Sequence, residues 1–204
     1  WTKLFGGVGQ DTAYDLEIDD DGSIYVVGVT QSSFDEQENA GHMDGFITKF
    51  DKDGETIWTR MLGTYSRDNF QAVTIGNDGS VYVGGGTWGN IDDQTHSVPA
   101  TWSNETYSRA SDAFVVKYSP DGEKIWTRIL NTRVGDLDNN VKEITSDIEG
   151  NIYTTGVTSG NILPSGTVEY SSISEDSIYE YISKYSQEGV LEWVKFSDES
   201  TDQI

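Results

Sequence analysis

A tryptophan followed by a short polar and apolar phrase recurs along the chain and constrains the fold more than any other feature. The phrase reads Trp-Thr-Lys-Leu at residues 1–4, Trp-Thr-Arg-Met at 58–61, Trp-Thr-Arg-Ile at 126–129 and Trp-Val-Lys-Phe at 193–196. The tryptophans are separated by 57, 68 and 67 residues. Self-similarity at a nearly fixed period of this size is typical of repeat architectures, in which each unit packs against its neighbours.

Each unit contains four short runs rich in Val, Ile, Thr and aromatic residues. In the first unit the runs lie near residues 13–19, 23–30, 45–50 and 55–62, and they recur in the next two units. Asp-Gly or Glu-Gly pairs between the runs are typical of tight β-hairpins. Several runs are apolar on both faces, which indicates a sheet covered on both sides. The sequence therefore predicts an all-β fold, a β-propeller of four-stranded antiparallel blades.

The unit boundaries predict one propeller segment with about three blades. We expect blades at approximately residues 1–62, 63–130 and 131–196, and a partial fourth blade that begins at residue 197. Propellers close with about 4–8 blades. We therefore expect an arc of a larger propeller, whose partners are further blades or another copy of the chain.

The order of these elements also resembles a known repeat. The second run reads Tyr-Val-Val-Gly-Val-Thr at residues 25–30, and the third reads Asp-Gly-Phe-Ile-Thr-Lys-Phe at 44–50, before a Gly-x-x-x-Trp segment. This pattern resembles the bacterial SBBP-type β-propeller repeat. The third unit departs from it at Thr154, Thr155 and Tyr179. The resemblance implies an extracellular or cell-surface protein without a shared catalytic activity.

Composition restricts the class of partner. The 204 residues carry a formal net charge of −22, so the phosphates of a nucleic acid or an anionic membrane surface would be repelled. No run approaches the roughly 18 apolar residues of a membrane-spanning helix. We therefore expect neither nucleic acid binding nor membrane insertion, whereas the acidic surface favours cations.

Acidic turns supply candidate calcium ligands. Ca²⁺ takes about six to eight oxygen ligands, and the candidates are Asp19, Asp21, Asp51 and Asp53. The alternative interpretation is that hairpin turns require Asp and Gly for side-chain-to-backbone hydrogen bonds and positive φ. A second acidic and amide set stands at the connections between blades, where we expect turn caps: Asp11, Asp68 and Asn139.

The recurring tryptophans are predicted to be structural. Trp58, Trp126 and Trp193 occupy the same place in each unit, which indicates packing between adjacent blades. Strand alternation places the Asp-Gly turns on one face of the ring and the long inserts, residues 31–43, 88–111 and 159–178, on the other.

Three aromatic residues of the second insert do not repeat: Trp88, Trp102 and Tyr107. Aromatic side chains on loops held by a rigid scaffold often form binding surfaces, including stacking platforms for sugars. The alternative is a small local core beneath a long loop. We therefore treat the three residues as candidate ligand-binding residues, with surface glycans or proteins as the partners.

The sequence leaves three functions open. The two histidines, His42 and His96, stand in no zinc-binding pattern, and no nucleophile elbow or phosphate loop occurs. We expect a non-catalytic extracellular or cell-surface module that provides a scaffold and an interaction face. The alternatives are a carbohydrate-binding propeller and a quinoprotein-like propeller enzyme, because Gly-Glu-Thr-Ile-Trp at residues 54–58 is similar to the tryptophan-docking motif of quinoprotein dehydrogenases.

Overall fold

The chain folds into three four-stranded antiparallel sheets, as a computed structural model shows. The structure describes residues 1–92, 111–130, 139–158 and 179–196. The first sheet contains β1 (Asp11–Ile18), β2 (Ile24–Thr30), β3 (Asp44–Phe50) and β4 (Thr56–Leu62). The second contains β5 (Asp68–Ile75), β6 (Val81–Thr87), β7 (Asp112–Tyr118) and β8 (Lys124–Leu130). The third contains β9 (Asn140–Ser146), β10 (Ile152–Thr158), β11 (Tyr179–Tyr185) and β12 (Leu191–Phe196).

Every regular element within the described ranges is a strand, which confirms the prediction of an all-β fold built from propeller blades. Strand order follows chain order in each sheet, so each strand pairs with its neighbour in the sequence. In the first sheet the predicted runs near 13–19, 23–30, 45–50 and 55–62 lie within two residues of the observed strands.

The hairpin turns have the backbone geometry that the Asp-Gly pattern predicts. Gly22 has φ 83° and Gly54 has φ 84°, values that favour glycine. The N–H of Gly22 donates to the carbonyl of Asp19 at 2.9 Å, and the N–H of Gly54 donates to that of Asp51 at 3.0 Å. The turns before the second strand and before the fourth strand are therefore tight in this sheet, and they recur with glycines of similar φ in the other two.

The three sheets stack face to face, and the apolar core lies between them. One buried cluster joins side chains of the first two sheets, including Val27, Ile47 and Phe70, and a second joins the last two sheets, including Val115 and Val141. Gly84 shows how closely the sheets approach, because a Cβ at that position would lie 2.3 Å from Cγ1 of Val141. The glycines at the end of β6 therefore allow the neighbouring sheet to pack closely against it.

The two outer faces of the stack are less covered than the inner ones. Ile182 of the third sheet is 40% exposed, whereas Ile47 and Val115 at the same place in the other sheets are fully buried. On the first sheet Leu16 is 56% exposed, but its counterpart Val73 is 3% exposed. Position in the stack, and not residue type, decides whether these apolar side chains are buried.

Candidate functional site

Four side chains, one from a turn and one from each of three strands, form a cluster that we call the tetrad. In the first sheet it consists of Asp19, Tyr25, Lys49 and Trp58. The hydroxyl of Tyr25 donates to Oδ2 of Asp19 at 3.2 Å, and Nζ of Lys49 lies 3.8 Å from the same oxygen. Lys49 Nζ also lies 4.9 Å from the centroid of the Tyr25 ring. The ring of Tyr25 contacts Trp58 edge-on, with 6.0 Å between centroids.

The carboxylate of Asp19 is fully engaged in this network. Oδ1 accepts the backbone N–H groups of Asp21 at 3.1 Å and Ser23 at 2.8 Å. Burial by itself raises the pKa of Asp19, but hydrogen bonds from Ser23 and Tyr25 and the charge of Lys49 lower the pKa below its ordinary value. Burial and the charge of Asp19 raise the pKa of Tyr25. Tyr25 therefore stays protonated at neutral pH, and its hydroxyl is the donor to Asp19.

The second sheet builds the tetrad differently, from Asp78, Tyr82, Lys117 and Trp126. Gly76 stands where the first sheet has Asp19, and a Cβ on Gly76 would lie 3.0 Å from Oδ1 of Asp78. Asp78, two residues after Gly76, thus places its carboxylate where that of Asp19 lies in the first sheet. Lys117 Nζ lies 3.7 Å from Oδ2 of Asp78 and 5.1 Å from the centroid of the Tyr82 ring. The buried hydroxyl of Tyr82 has no hydrogen-bond partner among the described residues.

The third sheet keeps the tetrad with Asp147, Tyr153, Lys184 and Trp193. The hydroxyl of Tyr153 donates to Oδ2 of Asp147 at 3.0 Å, and the Tyr153 and Trp193 rings lie 6.1 Å apart. Lys184 turns to Glu192 instead, with 2.8 Å between Nζ and Oε2. The predicted structural tryptophans therefore belong to one recurring cluster in all three sheets.

Adjacent sheets are joined by a second recurring contact, which we call the clasp. The indole N–H of Trp58 donates to the carbonyl of Pro120 at 3.1 Å, and Nε of Arg60 donates to the carbonyl of Gly122 at 2.8 Å. The guanidinium of Arg60 also stacks over the Trp58 ring, 5.5 Å from its centroid. A Cβ on Gly122 would lie 2.9 Å from the Trp58 ring, so only glycine fits beneath the indole. Trp58 is 8% exposed, in keeping with this role between sheets.

The same clasp recurs at the next junction and at the beginning of the chain. The indole N–H of Trp126 donates to the carbonyl of Gln187 at 3.3 Å, and Nε of Arg128 donates to that of Gly189 at 2.9 Å. Trp126 is half-buried. Trp1 donates to the carbonyl of Lys52 at 3.3 Å, and Lys3 Nζ lies 3.4 Å from Oε2 of Glu55. Each tryptophan therefore contacts the turn between the third and fourth strands of the following sheet.

The four predicted calcium ligands lie in two separate turns. Oδ1 of Asp51 accepts the N–H groups of Asp53 at 2.9 Å and Glu55 at 2.8 Å, as Asp19 does in its own turn. Asp53 pairs with Lys52 at 2.6 Å, and Asp21 is exposed. In the part of the chain that the structure describes, no three His, Cys, Asp or Glu side chains form a group that could hold a metal ion. The hydrogen bonds of Asp19 and Asp51 are those of turn formation, and calcium binding stays a prediction.

The face opposite these turns carries a layer of buried polar side chains at the strand ends. Thr30 donates to Oδ1 of Asp11 at 2.5 Å, and Thr87 donates to Oδ1 of Asp68 at 2.5 Å. Oδ2 of Asp68 also accepts the N–H of Thr64 at 2.6 Å. Asp11 and Asp68 therefore hold the connections into their sheets, which is the capping role that their position predicts.

Asp44 is the most perturbed carboxyl group of this layer. It is 1% exposed; Oδ2 accepts the N–H of Ala40 at 2.6 Å, but Oδ1 is buried without a hydrogen-bond partner among the described residues. Burial, together with the charge of Asp68, raises the pKa of Asp44 to about 6. This group is therefore partly protonated near neutral pH.

The predicted aromatic binding residues are only in part within the described structure. Trp88 directly follows β6 and is half-buried, and its backbone N–H donates to the carbonyl of Arg67 at 3.0 Å. Trp102 and Tyr107, like His96, lie outside the described residues. No helix in the described ranges is both long and apolar enough to cross a membrane.

Comparison with known sequences identifies the repeat. The SBBP family, described as a β-propeller repeat, matches residues 1–35 and 125–164. The chain contains SBBP β-propeller repeats. The three sheets are thus blades, and the tetrad and the clasp are the contacts within and between blades of this SBBP segment.

Two longer proteins are similar to this SBBP chain. An uncharacterized WD repeat-containing protein, L264, of Acanthamoeba polyphaga mimivirus is 28% identical over 159 residues, which are 73% of this chain and 11% of that protein. The regulatory protein FlaEY of Caulobacter vibrioides is 25% identical over 113 residues, which are 52% of this chain and 12% of that protein. The chain therefore spans only a small part of the length of the relatives that it matches.

Sequence reasoning missed the tetrad, although its members were visible. Tyr25 and Lys49 recur as Tyr82 and Lys117 within strands that are otherwise apolar. A lysine that recurs in a buried strand requires a partner, because an unpaired buried ammonium group is costly. The recurring lysine is thus the sequence feature that indicates a buried polar contact in each blade. Its pairing with an aspartate of a preceding turn depends on the fold of the blade.

Proposed function

We propose that this SBBP segment is a non-catalytic scaffold of an extracellular or cell-surface protein, and that its insert-bearing face binds protein partners. The observation that carries the proposal is the tetrad. The recurring charged and hydroxyl side chains of each blade are used to hold that blade together, and Asp19 has both carboxylate oxygens hydrogen-bonded within its own turn and strand. A carboxylate with a lowered pKa and fixed partners is suited to rigidity and not to proton transfer.

The two faces of the arc differ in the way that a scaffold requires. One face consists of short turns, such as residues 19–22 and 51–54, and the clasps hold those turns that join the third and fourth strands. The other is the face on which the sequence predicts the long inserts, 31–43, 88–111 and 159–178, and its strand ends carry the buried polar layer. Binding residues commonly lie on variable loops that a rigid framework positions. The relatives, a WD repeat-containing protein and a regulatory protein, support an interaction module.

A loop exchange tests this function. In one variant a Gly-Ser linker of equal length replaces residues 93–110; in the matched control, the exposed turn residue Asp20 on the opposite face becomes Asn. Fluorescently labelled chains are then compared for binding to intact cells of the source organism. We expect the insert variant to keep its melting temperature and lose binding, and the control to keep both. Equal binding by the two variants contradicts the proposal.

The same assay distinguishes a glycan ligand, the carbohydrate-binding alternative, from a protein partner. Competition of cell binding by a free sugar, together with loss of binding in Trp88→Ala, favours a glycan as the ligand. Resistance to every free sugar and to removal of cell-surface glycans favours a protein partner.

We also propose that Ca²⁺ binds at the acidic turns, with Asp21 and Asp53 as the exposed carboxylates. A ligand that binds only the folded state raises the melting temperature. Millimolar Ca²⁺ should therefore raise it beyond a NaCl control of equal ionic strength, which only screens the charge of −22. Equal shifts of the melting temperature in the two salts would contradict specific calcium binding.

A further inference from the structure

We infer that Tyr65, Arg67 and Trp88 form a site, which we call the arginine site, that binds a carboxylate group of a protein partner. The three residues lie on the insert-bearing face, where the connection between β4 and β5 meets the end of β6. The inference rests on the proposed function, because it names the chemistry by which that face recognises a protein.

The connection that carries the arginine site has an internal counterpart before β1. The N–H of Trp88 donates to the carbonyl of Arg67 at 3.0 Å, and before β1 the N–H of Gln31 donates to the carbonyl of Gln10 at 3.1 Å. In both places the aspartate that begins the next strand accepts a backbone N–H of the connection with Oδ2, at 2.6 Å and 3.1 Å respectively. The two connections therefore share these backbone hydrogen bonds.

The side chains at the equivalent positions of the two connections differ. Val8, Gln10 and Gln31 stand where the arginine site has Tyr65, Arg67 and Trp88. The shared hydrogen bonds form with either set, so the connection requires neither the two aromatic rings nor the guanidinium. Tyr, Trp and Arg are the residue types that most often dominate the binding energy of protein interfaces. All three differences are thus toward residues that bind partners.

The guanidinium of Arg67 has N–H donors that are not used inside the chain. Its Nη2 donates to Sδ of the buried Met43 at 3.3 Å, and sulfur is a weak acceptor. Within the described ranges Arg67 has no carboxylate or carbonyl partner for its side chain. Arg60 and Arg128, by contrast, each donate to three backbone carbonyls. Most donors of Arg67 are therefore available to a partner.

The chemistry of the arginine site selects a carboxylate. A planar guanidinium pairs with a carboxylate through two parallel hydrogen bonds. Tyr65, which is 72% exposed, and Trp88, which is half-buried, offer apolar surface to the groups around that carboxylate.

The charge of the chain selects a protein as the source of the carboxylate. A net charge of −22 repels a polyanion such as an acidic polysaccharide. A protein with a neutral or basic surface that presents a single carboxylate is not repelled, and its charge complements that of the chain. We therefore expect an Asp or Glu side chain of such a protein at Arg67.

Peptide arrays that are probed with the full chain test this inference. The probes are short peptides in which each Asp or Glu has a counterpart with Asn or Gln. Wild type should bind a set of acidic peptides about tenfold more tightly than their amide counterparts, and Arg67→Gln should abolish this difference. Tyr65→Val and Trp88→Gln should weaken the binding of both members of each pair.

The chain itself supplies the substitutions and the control. Each of the three variants introduces the residue that stands at the equivalent position before β1, so we expect all of them to fold, and circular dichroism verifies this. Val8→Ala changes an exposed side chain of the other connection and should leave every affinity unchanged.

Three outcomes overturn the inference. The first is that wild type binds acidic and amide peptides equally, or binds no peptide. The second is a preference for acidic peptides that survives Arg67→Gln. The third is Arg67-dependent binding to immobilised glucuronic acid oligosaccharides instead of peptides, which would assign the site to an acidic glycan.

The loop exchange separates this inference from the proposed function. A variant without residues 93–110 that still binds cells contradicts the proposed function but not the arginine site. Loss of cell binding by that variant, together with peptide binding that does not depend on Arg67, contradicts the arginine site alone.

Discussion

The two junctions inside the arc share a clasp but differ in their buried polar layer. At the first, Trp58 and Arg60 hold the turn at residues 119–122; at the second, Trp126 and Arg128 hold the turn at 186–189. At the opposite end of its strands, the first junction contains two buried carboxyl groups, Asp44 and Asp68, each 1% exposed.

At the second junction an amide replaces one of these two carboxyl groups, and the buried Asp112 has the place of Asp44. Asn139 has the place that Asp68 has at the first, and its Nδ2 donates to the carbonyl of Ser111 at 2.6 Å. Ser111 in turn donates its hydroxyl to the carbonyl of Asn139 at 2.7 Å. The difference teaches that the clasp and the apolar core recur at each junction, whereas the polar layer varies, and at the first junction it places the charge of Asp68 near Asp44.

The largest effect is expected when a clasp is removed. Trp58→Ala deletes a buried indole from the first junction and should lower the free energy of unfolding by roughly 3–5 kcal/mol. Trp126→Ala should cost somewhat less, because Trp126 is only half-buried. Trp1→Ala, in an exposed clasp, is the matched control and should cost under about 1 kcal/mol. Urea denaturation measures all three, and equal losses at Trp58 and Trp1 would refute the structural role of the inner clasps.

The second-largest effect is expected when Asp44, a buried carboxyl group of the polar layer at the first junction, is replaced. With a folded pKa of about 6 against an ordinary 3.8, Asp44 binds its proton more tightly in the folded state. Its contribution to stability is complete below about pH 4 and is lost as the pH rises through about 6. Asp44→Asn should therefore raise the free energy of unfolding by about 1–3 kcal/mol at pH 7, and this gain should vanish near pH 4.

Chemical denaturation of wild type and Asp44→Asn from pH 4 to pH 7.5 measures this gain as a difference, which cancels the other carboxyl groups. Asp53→Asn, at an exposed turn, serves as the control and should show no gain at any pH. A gain for Asp44→Asn that is independent of pH would mean that packing, and not ionisation, distinguishes the first junction.

The smallest effect compares the tetrads on either side of the first junction. Tyr25→Phe removes a hydrogen bond to Asp19 and should cost about 0.5–1.5 kcal/mol. Tyr82→Phe removes a buried hydroxyl that has no partner among the described residues, so it should be neutral or slightly stabilising. Thermal denaturation of the two variants shows which substitution lowers the stability more. A larger loss for Tyr82→Phe would contradict the conclusion that the Tyr25 hydroxyl is hydrogen-bonded and the Tyr82 hydroxyl is not.

The strands and turns were predictable because their determinants are local. Alternating Val, Ile and aromatic runs and the Asp-Gly pairs located the strands of the first sheet to within two residues. The tryptophan period indicated blades. The turn-holding role of Asp19 and Asp51 was one of two interpretations of the same residues, and the calcium interpretation, like the glycan-binding role of Trp88, stays a prediction.

The sequence by itself determined the period, the strands and the residue types that each blade repeats. Only the tertiary structure decided which of these residues meet. Trp58 contacts the turn of a blade 62 residues further along the chain, and Asp78 reaches the tetrad from a different turn position than Asp19. Burial was decided in the same way, because Ile47 and Ile182 occupy the same place in their repeats but only one of them has a neighbouring blade in the described structure. The pKa of Asp44 follows from that stacking too: desolvation and the charge of a neighbour depend on distances between sheets, which no local pattern encodes.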